Sequence, residues 1–286
     1  MEPSDVDLVV YHHPCSDGTA AATCANKYFK SQNKMATFMP YCYGDEYPNL
    51  EIFKDKCVLM LDVSFTLEFT QKIINIAKNF LIIDHHISAK EMLTDIDDKY
   101  KIFSMEHSGA VLAWKYFFGD EPIPITIRYI EDRDLLSNSL EYIEEFVAWF
   151  YNLPFDFDIY ESNFKEKNFW KGILKKGKYF KQINDLYIIK ISGSANLETI
   201  VIQNQKYQVA SVNSPILKTE IGEFLLNTYP QIDFAIIYHY CDKKNKTYFS
   251  LRSKKCDVSK IAHHFKAGGH KTASSIILND FYKKFY

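Results

Sequence analysis

Three short apolar runs in the N-terminal half of the chain each stop at aspartate or histidine. The runs and the polar residues that follow them are 8–11 with His12, His13 and Asp17, 57–61 with Asp62, and 80–83 with Asp84, His85 and His86. An uninterrupted apolar run of this length predicts a buried strand. In open parallel sheets, ligands bind at the carboxyl ends of the strands. The pattern therefore predicts one sheet edge that carries carboxylates and imidazoles.

Helical patterns separate these runs. Residues 18–30 and 67–78 are predicted helices, and residues 36–39 are a further short strand. Strands that alternate with helices in this order indicate a parallel sheet with right-handed crossovers. Helices are also predicted at 110–118, at 139–151 and, in a stretch rich in Lys, Phe and Tyr, at 161–182.

The pattern changes near residue 186. Strands are predicted at 186–191, 199–202, 208–212, 234–240, 247–251 and 273–278, with helices at 218–228 and 258–265. We therefore predict an α/β fold with a parallel-sheet N-terminal domain at 1–155, a helical connector at 156–185 and a smaller mixed-sheet α/β C-terminal domain at 186–286.

Composition narrows the class of protein. The chain has 286 residues, 47% of them hydrophobic and 24% charged, and a net charge of −2, which argues against disorder and against coating long nucleic acids by charge alone. None of its six cysteines forms a C-x-x-C pair, so we expect reduced thiols and no zinc knuckle. The acidic N-terminus does not resemble a signal peptide, and no apolar run approaches the ~20 residues of a membrane span. These features predict a soluble, cytoplasmic protein with no membrane partner.

The polar residues at the predicted strand ends suit a divalent metal. Mixed carboxylate and imidazole ligands favour Mn²⁺, Mg²⁺ or Fe²⁺ over zinc alone. Carboxylates that bridge two ions about 4 Å apart can activate a water molecule and bind a phosphate. Asp84 precedes the two histidines and could orient one of their rings through a hydrogen bond.

These motifs together resemble the DHH phosphoesterases. The matching segments are His12-x-x-Cys15-x-Asp17-Gly18, Asp62, Asp84-His85-His86, Glu131-Asp132-Arg133-Asp134-Leu135 and, similar to the DHH-associated substrate domain, Arg252 with Gly268-Gly269-His270. The resemblance spans most of the chain. It implies a metal-binding catalytic domain followed by a substrate-binding domain, and hydrolysis of phosphodiester or phosphoanhydride bonds with divalent metals, usually Mn²⁺.

The resemblance also implies roles for individual residues. The implied metal ligands, for one or two Mn²⁺ ions or for Mg²⁺, are His12, Asp17, Asp62, His85 and Asp132. The implied catalytic residues are His86, facing the phosphate or water, and Asp84. The implied substrate-binding residues are Arg252, Gly268, Gly269 and His270, and His107 is added as a further candidate phosphate contact.

Two positions depart from the family pattern. Cys15 stands where many members place a metal-binding aspartate, and Ala267 replaces the usual first glycine of the glycine–histidine turn. The choice between His12 and His13 as the ligand stays open from the sequence, although His12 leaves the strand directly. Ser108 has a simpler interpretation as a helix cap, and His263 and His264 as packing or surface residues.

We therefore expect a metal-dependent phosphodiesterase of the nanoRNase or exonuclease type that degrades short oligonucleotides to mononucleotides. One alternative is a phosphodiesterase for cyclic dinucleotides or small phosphorylated metabolites, and another is an inorganic pyrophosphatase. An alternative from a different class is a catalytically silent binding scaffold. The expected partner is an oligonucleotide or nucleotide substrate, and a homodimer is left open.

Overall fold

The computed structural model describes residues 1–281, and residues 282–286, which end the predicted C-terminal domain, lie outside this description. The chain divides into two compact units, Met1–Lys181 and a second unit that begins at Gln182. The helices after residue 156 that precede this boundary are part of the first unit, although we assigned them to a connector.

A five-stranded parallel sheet, sheet A, forms the centre of the N-terminal unit. Its strands are β1 Leu8–His12, β2 Thr37–Tyr41, β3 Cys57–Leu61, β4 Asn79–Asp84 and β5 Lys101–Phe103, in the order β2-β1-β3-β4-β5. Alternate residues of β1, β3 and β4 enter two separate apolar clusters, one on each face of the sheet. Both faces are therefore buried, which explains why these strands are continuous apolar runs. Strand β5, with only three residues, was not predicted.

Helices cover sheet A and extend the first unit. They are α1 Ser16–Ser31, α2 Leu67–Ile76, α3 Ile87–Met92, α4 Gly109–Phe118, α5 Ile125–Asp134, α6 Ile143–Phe150, α7 Phe157–Asn163 and α8 Glu166–Gly172, then a π-helical turn at Ile173–Gly177 and α9 Lys178–Ser192, which crosses the boundary between units. Small buried residues of α1, including Ala21 and Ala25, allow close packing with α4. Among residues 1–281, we find no helix with the length and apolar character that a bilayer crossing requires.

The C-terminal unit is built on a mixed sheet, sheet B. Its strands are β6 Asn196–Ile202, β7 Gln205–Asn213, β8 Phe234–Cys241, β9 Lys246–Arg252 and β10 Ala273–Asn279, in the order β10-β9-β8-β7-β6. Only β7 and β8 pair in parallel. Helices α10 Lys218–Thr228 and α11 Val258–His264 complete the unit. The predicted fold class, a parallel-sheet unit followed by a smaller mixed-sheet α/β unit, is confirmed.

The strand predicted at 186–191 is wrong, because these residues belong to α9. Ile188 is buried whereas Leu186, Tyr187 and Ile189 are exposed, as expected for one face of a helix. A short apolar run cannot be assigned to a strand or a helix from periodicity alone.

Candidate metal centre

The adjacent strands β1, β3 and β4 bring their carboxyl ends to one edge of sheet A. His12 ends β1, Asp84 ends β4, and Asp62 directly follows β3. Asp62 has a φ of 57°, in the left-handed region that aspartate tolerates better than most residues. Its N–H still donates to the carbonyl oxygen of Ile83 at 2.9 Å. The chain thus turns away immediately after β3 while the Asp62 backbone stays fixed to β4.

Three carboxylates meet at the imidazole of His85. Its Nε2 lies 3.2 Å from Asp62 Oδ1, 3.3 Å from Asp134 Oδ2 and 3.6 Å from Asp17 Oδ2. His85, Asp17 and Asp62 are each at most 2% exposed, and Asp134 is partly exposed. Charged groups at this depth are rare unless they pair with one another or bind a cation.

His12 extends the cluster on the β1 side. Its Nδ1 lies 3.2 Å from Asp62 Oδ2, and the Cys15 thiol lies within 4.8 Å of ligand atoms of both residues. The ring of His13 instead packs against Tyr11 and Phe155, with centroids 6.0 and 5.3 Å away. Of the two adjacent histidines, the structure therefore places His12 in the cluster.

Asp84 organises the turn after β4. Its carboxylate is fully buried and accepts hydrogen bonds from Ser64 Oγ at 2.6 Å, from the His85 N–H at 2.6 Å and from the His86 N–H at 3.1 Å. His86 Nδ1 contacts the same carboxylate at 2.7 Å. Asp84 therefore orients His86, and Nε2 is the ring nitrogen that His86 can turn towards a ligand.

The N-terminus of α4 closes the other side of the cluster. The N–H groups of Gly109 and Ala110 donate to the two oxygens of Asp17, at 2.6 and 3.0 Å. A Cβ atom at Gly109 would lie 2.7 Å from Asp62 Cβ and 2.9 Å from Asp17 Oδ2. A Cβ at Gly18 would lie 2.3 Å from the carbonyl oxygen of His12. Because glycine has no Cβ, the backbone at 109 can lie against Asp17 and Asp62, and the backbone at 18 can lie against His12.

The placement expected for Asp132 needs a correction. Its carboxylate accepts hydrogen bonds from the Ser139 N–H and hydroxyl and from the Leu140 N–H, at 2.7 to 3.2 Å, and so fixes the loop after α5. Asp134, two residues further along α5, is the carboxylate that reaches His85. Two residues correspond to about 200° around a helix, so only one of these side chains can face the cluster.

Electrostatic coupling inside the cluster shifts its pKa values strongly. Burial lowers the pKa of His85, but Asp62, Asp134 and Asp17 outweigh burial and raise it to about 10. Burial raises the pKa of Asp62, but His12 and His85 outweigh it and hold the carboxyl well below its usual range. Burial, together with Asp62 and Asp134, raises the pKa of Asp17, and burial and the same carboxylates raise that of the Cys15 thiol.

The donor set fits a divalent cation. Asp62 Oδ1 is buried and, apart from the 3.2 Å contact with His85 Nε2, has no hydrogen-bond donor among the described residues. Ligand atoms about 2.1 Å from an octahedral ion lie about 3 Å from one another, close to the separations measured around His85. His12, Asp17, Asp62, His85 and Asp134 are the residues that could hold such an ion.

His107 lies outside the cluster. Its Nδ1 contacts Glu131 Oε1 at 2.8 Å, and its Nε2 contacts Lys115 Nζ at 2.7 Å. Ser108, the next residue, caps α4 by accepting a hydrogen bond from the Val111 N–H. His107 therefore sits beside the α4 N-terminus with both ring nitrogens already in contact with side chains.

The other predicted substrate-binding residues lie in the C-terminal unit. Arg252 ends β9, and its Nη2 donates to Thr219 Oγ1 at 2.9 Å. Gly269 has a φ of +142°, and a Cβ there would lie 2.6 Å from Ser274 Cα. The Gly268 carbonyl accepts from the Ser275 N–H at 3.2 Å, and the His270 N–H donates to the Ala273 carbonyl at 2.7 Å. The turn is thus tied to the start of β10 and requires glycine at position 269.

A relative with a similar sequence shows which family this chain belongs to. Uncharacterized protein R106 of Acanthamoeba polyphaga mimivirus is 34% identical over an alignment of 286 positions, which covers 95% of this chain and 67% of that protein. The chain belongs to the R106 family. No protein-family model matches the sequence.

Solved structures resemble this chain in fold. The structure of exonuclease RecJ bound to manganese matches with a TM-score of 0.50 and 10% identity, covering 97% of this chain and 87% of that one. An exopolyphosphatase-related protein from Bacteroides fragilis matches with a TM-score of 0.47 and 16% identity, over 98% and 88% of the two chains. The match to RecJ shows that this R106-family chain has a RecJ-like fold.

Sequence reasoning missed two side chains next to the cluster. Asp134 lies within the Glu131–Leu135 motif, but only the rotation of α5 about its axis distinguishes it from Asp132 as the residue that faces the cluster. Tyr43 lies in the loop after β2, with its ring centroid 5.1 Å from that of His12 and 6.2 Å from that of His86. Its hydroxyl oxygen accepts a hydrogen bond from the Ser64 N–H at 3.0 Å. No pattern in the sequence marks this loop tyrosine.

Proposed function

We propose that this chain is a divalent-metal-dependent phosphoesterase that hydrolyses phosphodiester bonds of short oligonucleotides to mononucleotides. The observation that carries the proposal is the convergence of Asp17, Asp62 and Asp134 on Nε2 of the buried His85. The RecJ-like fold and the resemblance of the motifs to DHH phosphoesterases support the same reaction class.

Five residues of the cluster would be metal ligands. His12, Asp17, Asp62, His85 and Asp134 would hold one or two divalent cations, with Mn²⁺ favoured and Mg²⁺ also suited to this donor set. When bound, the cation supplies Lewis-acid polarisation of a phosphoryl oxygen and acidifies a water molecule. Cys15 is a weak candidate ligand, because Mn²⁺ and Mg²⁺ prefer oxygen donors to a thiolate sulfur.

His86 would stabilise charge on the substrate phosphate. Burial lowers its pKa, but the contact with Asp84 outweighs burial and raises it. An imidazolium fixed through Nδ1 can donate from Nε2 to a phosphate oxygen as negative charge develops there. Asp84, which accepts from Ser64 and from two backbone N–H groups, keeps this ring in place.

In the C-terminal unit, Arg252 and the Gly268–Gly269–His270 turn would bind a substrate phosphate. A guanidinium offers two parallel N–H donors to a phosphate. A glycine turn allows a phosphate to approach backbone N–H groups closely.

The test is hydrolysis of a labelled dinucleotide by the purified chain with Mn²⁺. We expect mononucleotide products that disappear with a chelator and in the Asp62→Asn variant, while the exposed control Asp95→Asn keeps activity. A cyclic dinucleotide and inorganic pyrophosphate in the same panel determine the substrate class. An intact dinucleotide, under conditions in which a control nanoRNase cleaves it, would contradict the proposal.

A further inference from the structure

Helix α9 presents a wide apolar face to solvent. Of its 15 residues, all within the described part of the chain, only Ile188 and Ser192 are buried. Six large, mainly apolar side chains of the helix have exposed fractions from 41% to 72%: Tyr179, Phe180, Ile183, Leu186, Tyr187 and Ile189. A helix of this length owes most of its stability to packing of its apolar face, so we expect a partner for this face.

The exposed residues follow the spacing of a helix–helix contact. Tyr179, Ile183, Leu186 and Lys190 recur at intervals of four, three and four residues, which is the seam of a coiled coil. All four residues are exposed. At about 100° per residue, they lie on the side of the helix opposite to the buried Ile188. Because α9 is one continuous helix, this seam runs along it without a break.

The seam has the same spacing when it is read in either direction. A two-fold axis across α9, midway between residues 183 and 186, would place Ile183 of one copy against Leu186 of the other, at two symmetric positions. The same axis would place the Lys190 ammonium beside the Tyr179 ring of the other copy, which is a cation–π contact. A lysine within such a seam also favours one register over others. In antiparallel order, the face is therefore complementary to itself in polarity and charge.

The apolar face of α9 is large enough for a specific dimer. Large side chains can bury roughly 150–250 Å² each, so the exposed fractions of the six residues amount to roughly 600 Å² per copy. Two copies would bury up to roughly 1,200 Å², which reaches the range of specific interfaces. An apolar patch of this size is at the upper limit for monomeric proteins and indicates an interaction surface.

We propose that α9 is the interface of a two-fold symmetric homodimer in which the helices of two copies pack antiparallel. Ile183 and Leu186 form the centre of the interface, and Tyr179 with Lys190 closes each end. An apolar helix face can also lie on a membrane surface, but lipid binding does not require a seam that is complementary to itself. The proposal is independent of the proposed function, because these residues lie outside the metal-ligand cluster.

The test is the mass of the full chain in solution, measured by sedimentation equilibrium at micromolar concentrations. We expect the parent chain to reach twice the 33.4 kDa of one copy. Leu186→Glu should weaken dimerisation at least about 100-fold, because each copy would bury an unpaired carboxylate against Ile183. Ile183→Lys should dissociate the dimer for the same reason.

Mixing the two variants tests the antiparallel order. An equimolar mixture of the Leu186→Glu and Ile183→Lys chains should regain the dimer mass, because the two-fold axis sets the new carboxylate of one copy against the new ammonium of the other. Parallel helices would set position 186 against 186 and position 183 against 183, and the mixture would then stay monomeric.

The control is Met35→Glu, at an apolar residue outside α9 that is 94% exposed, and it should leave the dimer intact. Circular dichroism identifies folded variants. A parent chain that stays monomeric, a folded Leu186→Glu variant that stays dimeric, or a mixture that stays monomeric would overturn the proposal. Binding of a monomeric parent chain to phosphatidylcholine–phosphatidylserine vesicles, lost in Leu186→Glu, would overturn it in favour of a lipid surface.

Discussion

The two sheets of the molecule place their polar groups in different ways. On sheet A, His12, Asp62 and Asp84 lie at consecutive carboxyl ends of neighbouring parallel strands, so chain topology alone brings them together. On sheet B, Arg252 ends β9 and pairs with Ala273 at the start of the antiparallel strand β10, directly after the Gly268–Gly269–His270 turn, so strand register sets these neighbours. In a parallel sheet, residues at strand ends can be predicted from the sequence to be neighbours. In a mixed sheet, this prediction also requires the strand register.

The largest expected effect comes from the central carboxylate of the sheet A site. Asp62→Asn keeps the side-chain shape and tolerates the left-handed backbone, but it removes the charge that faces His12 and His85. We expect Mn²⁺ affinity to fall at least about 100-fold, since even residues that only support ligands cost 10–100-fold. Titration calorimetry with Mn²⁺ measures this, beside Asp95→Asn. Retained affinity would remove Asp62 from the metal centre.

Glycine substitutions compare the two sheets directly. Gly109→Ala would place a Cβ 2.7 Å from Asp62 Cβ, and Gly269→Ala would place one 2.6 Å from Ser274 Cα at a φ of +142°. Both should destabilise the chain by about 1–3 kcal/mol through overcrowding. Only Gly109→Ala should also weaken Mn²⁺, because only position 109 borders the cluster. Thermal unfolding without Mn²⁺ measures the loss of stability, and the added stability with Mn²⁺ measures its binding. Equal Mn²⁺ affinity in both variants would contradict a place for Gly109 beside the metal ligands.

Substitutions at two carboxylates of α5 test which of them is a metal ligand. Asp134→Asn should weaken Mn²⁺ binding and leave stability nearly unchanged, because Asp134 faces the other charges of the cluster. Asp132→Asn should lower stability by about 1–3 kcal/mol, because it weakens the bonds to Ser139 and Leu140, but keep Mn²⁺ affinity in the folded fraction. Denaturant unfolding and calorimetry measure the pair. The opposite assignment of effects would restore Asp132 as the ligand.

The raised pKa of His85 predicts a pH dependence for sheet A alone. With a folded pKa of about 10, the ring is protonated in the metal-free chain at neutral pH and must release this proton to bind a metal through Nε2. Between pH 6.5 and 8.5 the Mn²⁺ affinity should rise about tenfold per pH unit for one released proton. Calorimetry in buffers of different ionisation enthalpy counts the protons. An affinity independent of pH would contradict a protonated His85.

The same shift has a stability consequence of defined sign. Because the folded pKa of His85 lies above the ordinary histidine value of 6.5, the protonated ring stabilises the metal-free chain fully below pH 6.5. That contribution is lost as pH rises towards about 10.

The smallest expected effect concerns Cys15. Replacing its protonated thiol by a carboxylate in Cys15→Asp adds a hard oxygen ligand beside His12 and Asp62, which suits Mn²⁺ better than sulfur. We expect Mn²⁺ affinity to increase about tenfold or a further ion to bind, as one more charged ligand provides. Cys15→Ser is the matched control and should behave like the parent chain. Equal affinities in Cys15→Asp and Cys15→Ser would show that this position does not reach the ion.

Sequence alone predicted the parts of the molecule that topology fixes. The buried runs of β1, β3 and β4 predicted parallel strands, and their ends predicted Asp62 and His85 as neighbours. The choice between Asp132 and Asp134 depends on the rotation of α5. The segment 186–191 is helical, with Ile188 buried and Leu186 exposed, and a short apolar run does not reveal this in the sequence.

The hydrogen bonds from the Gly109 and Ala110 N–H groups to Asp17 connect the start of α4 to the metal-ligand cluster. Both N–H groups donate to Asp17, which is also part of the cluster. A cation bound by Asp17 would therefore change the electrostatic environment of these two amide protons. Their proton resonances and solvent-exchange rates would therefore report occupancy without any label. If a cation binds the cluster, its loss would change the charge around Asp17 and therefore both bonds at the start of α4.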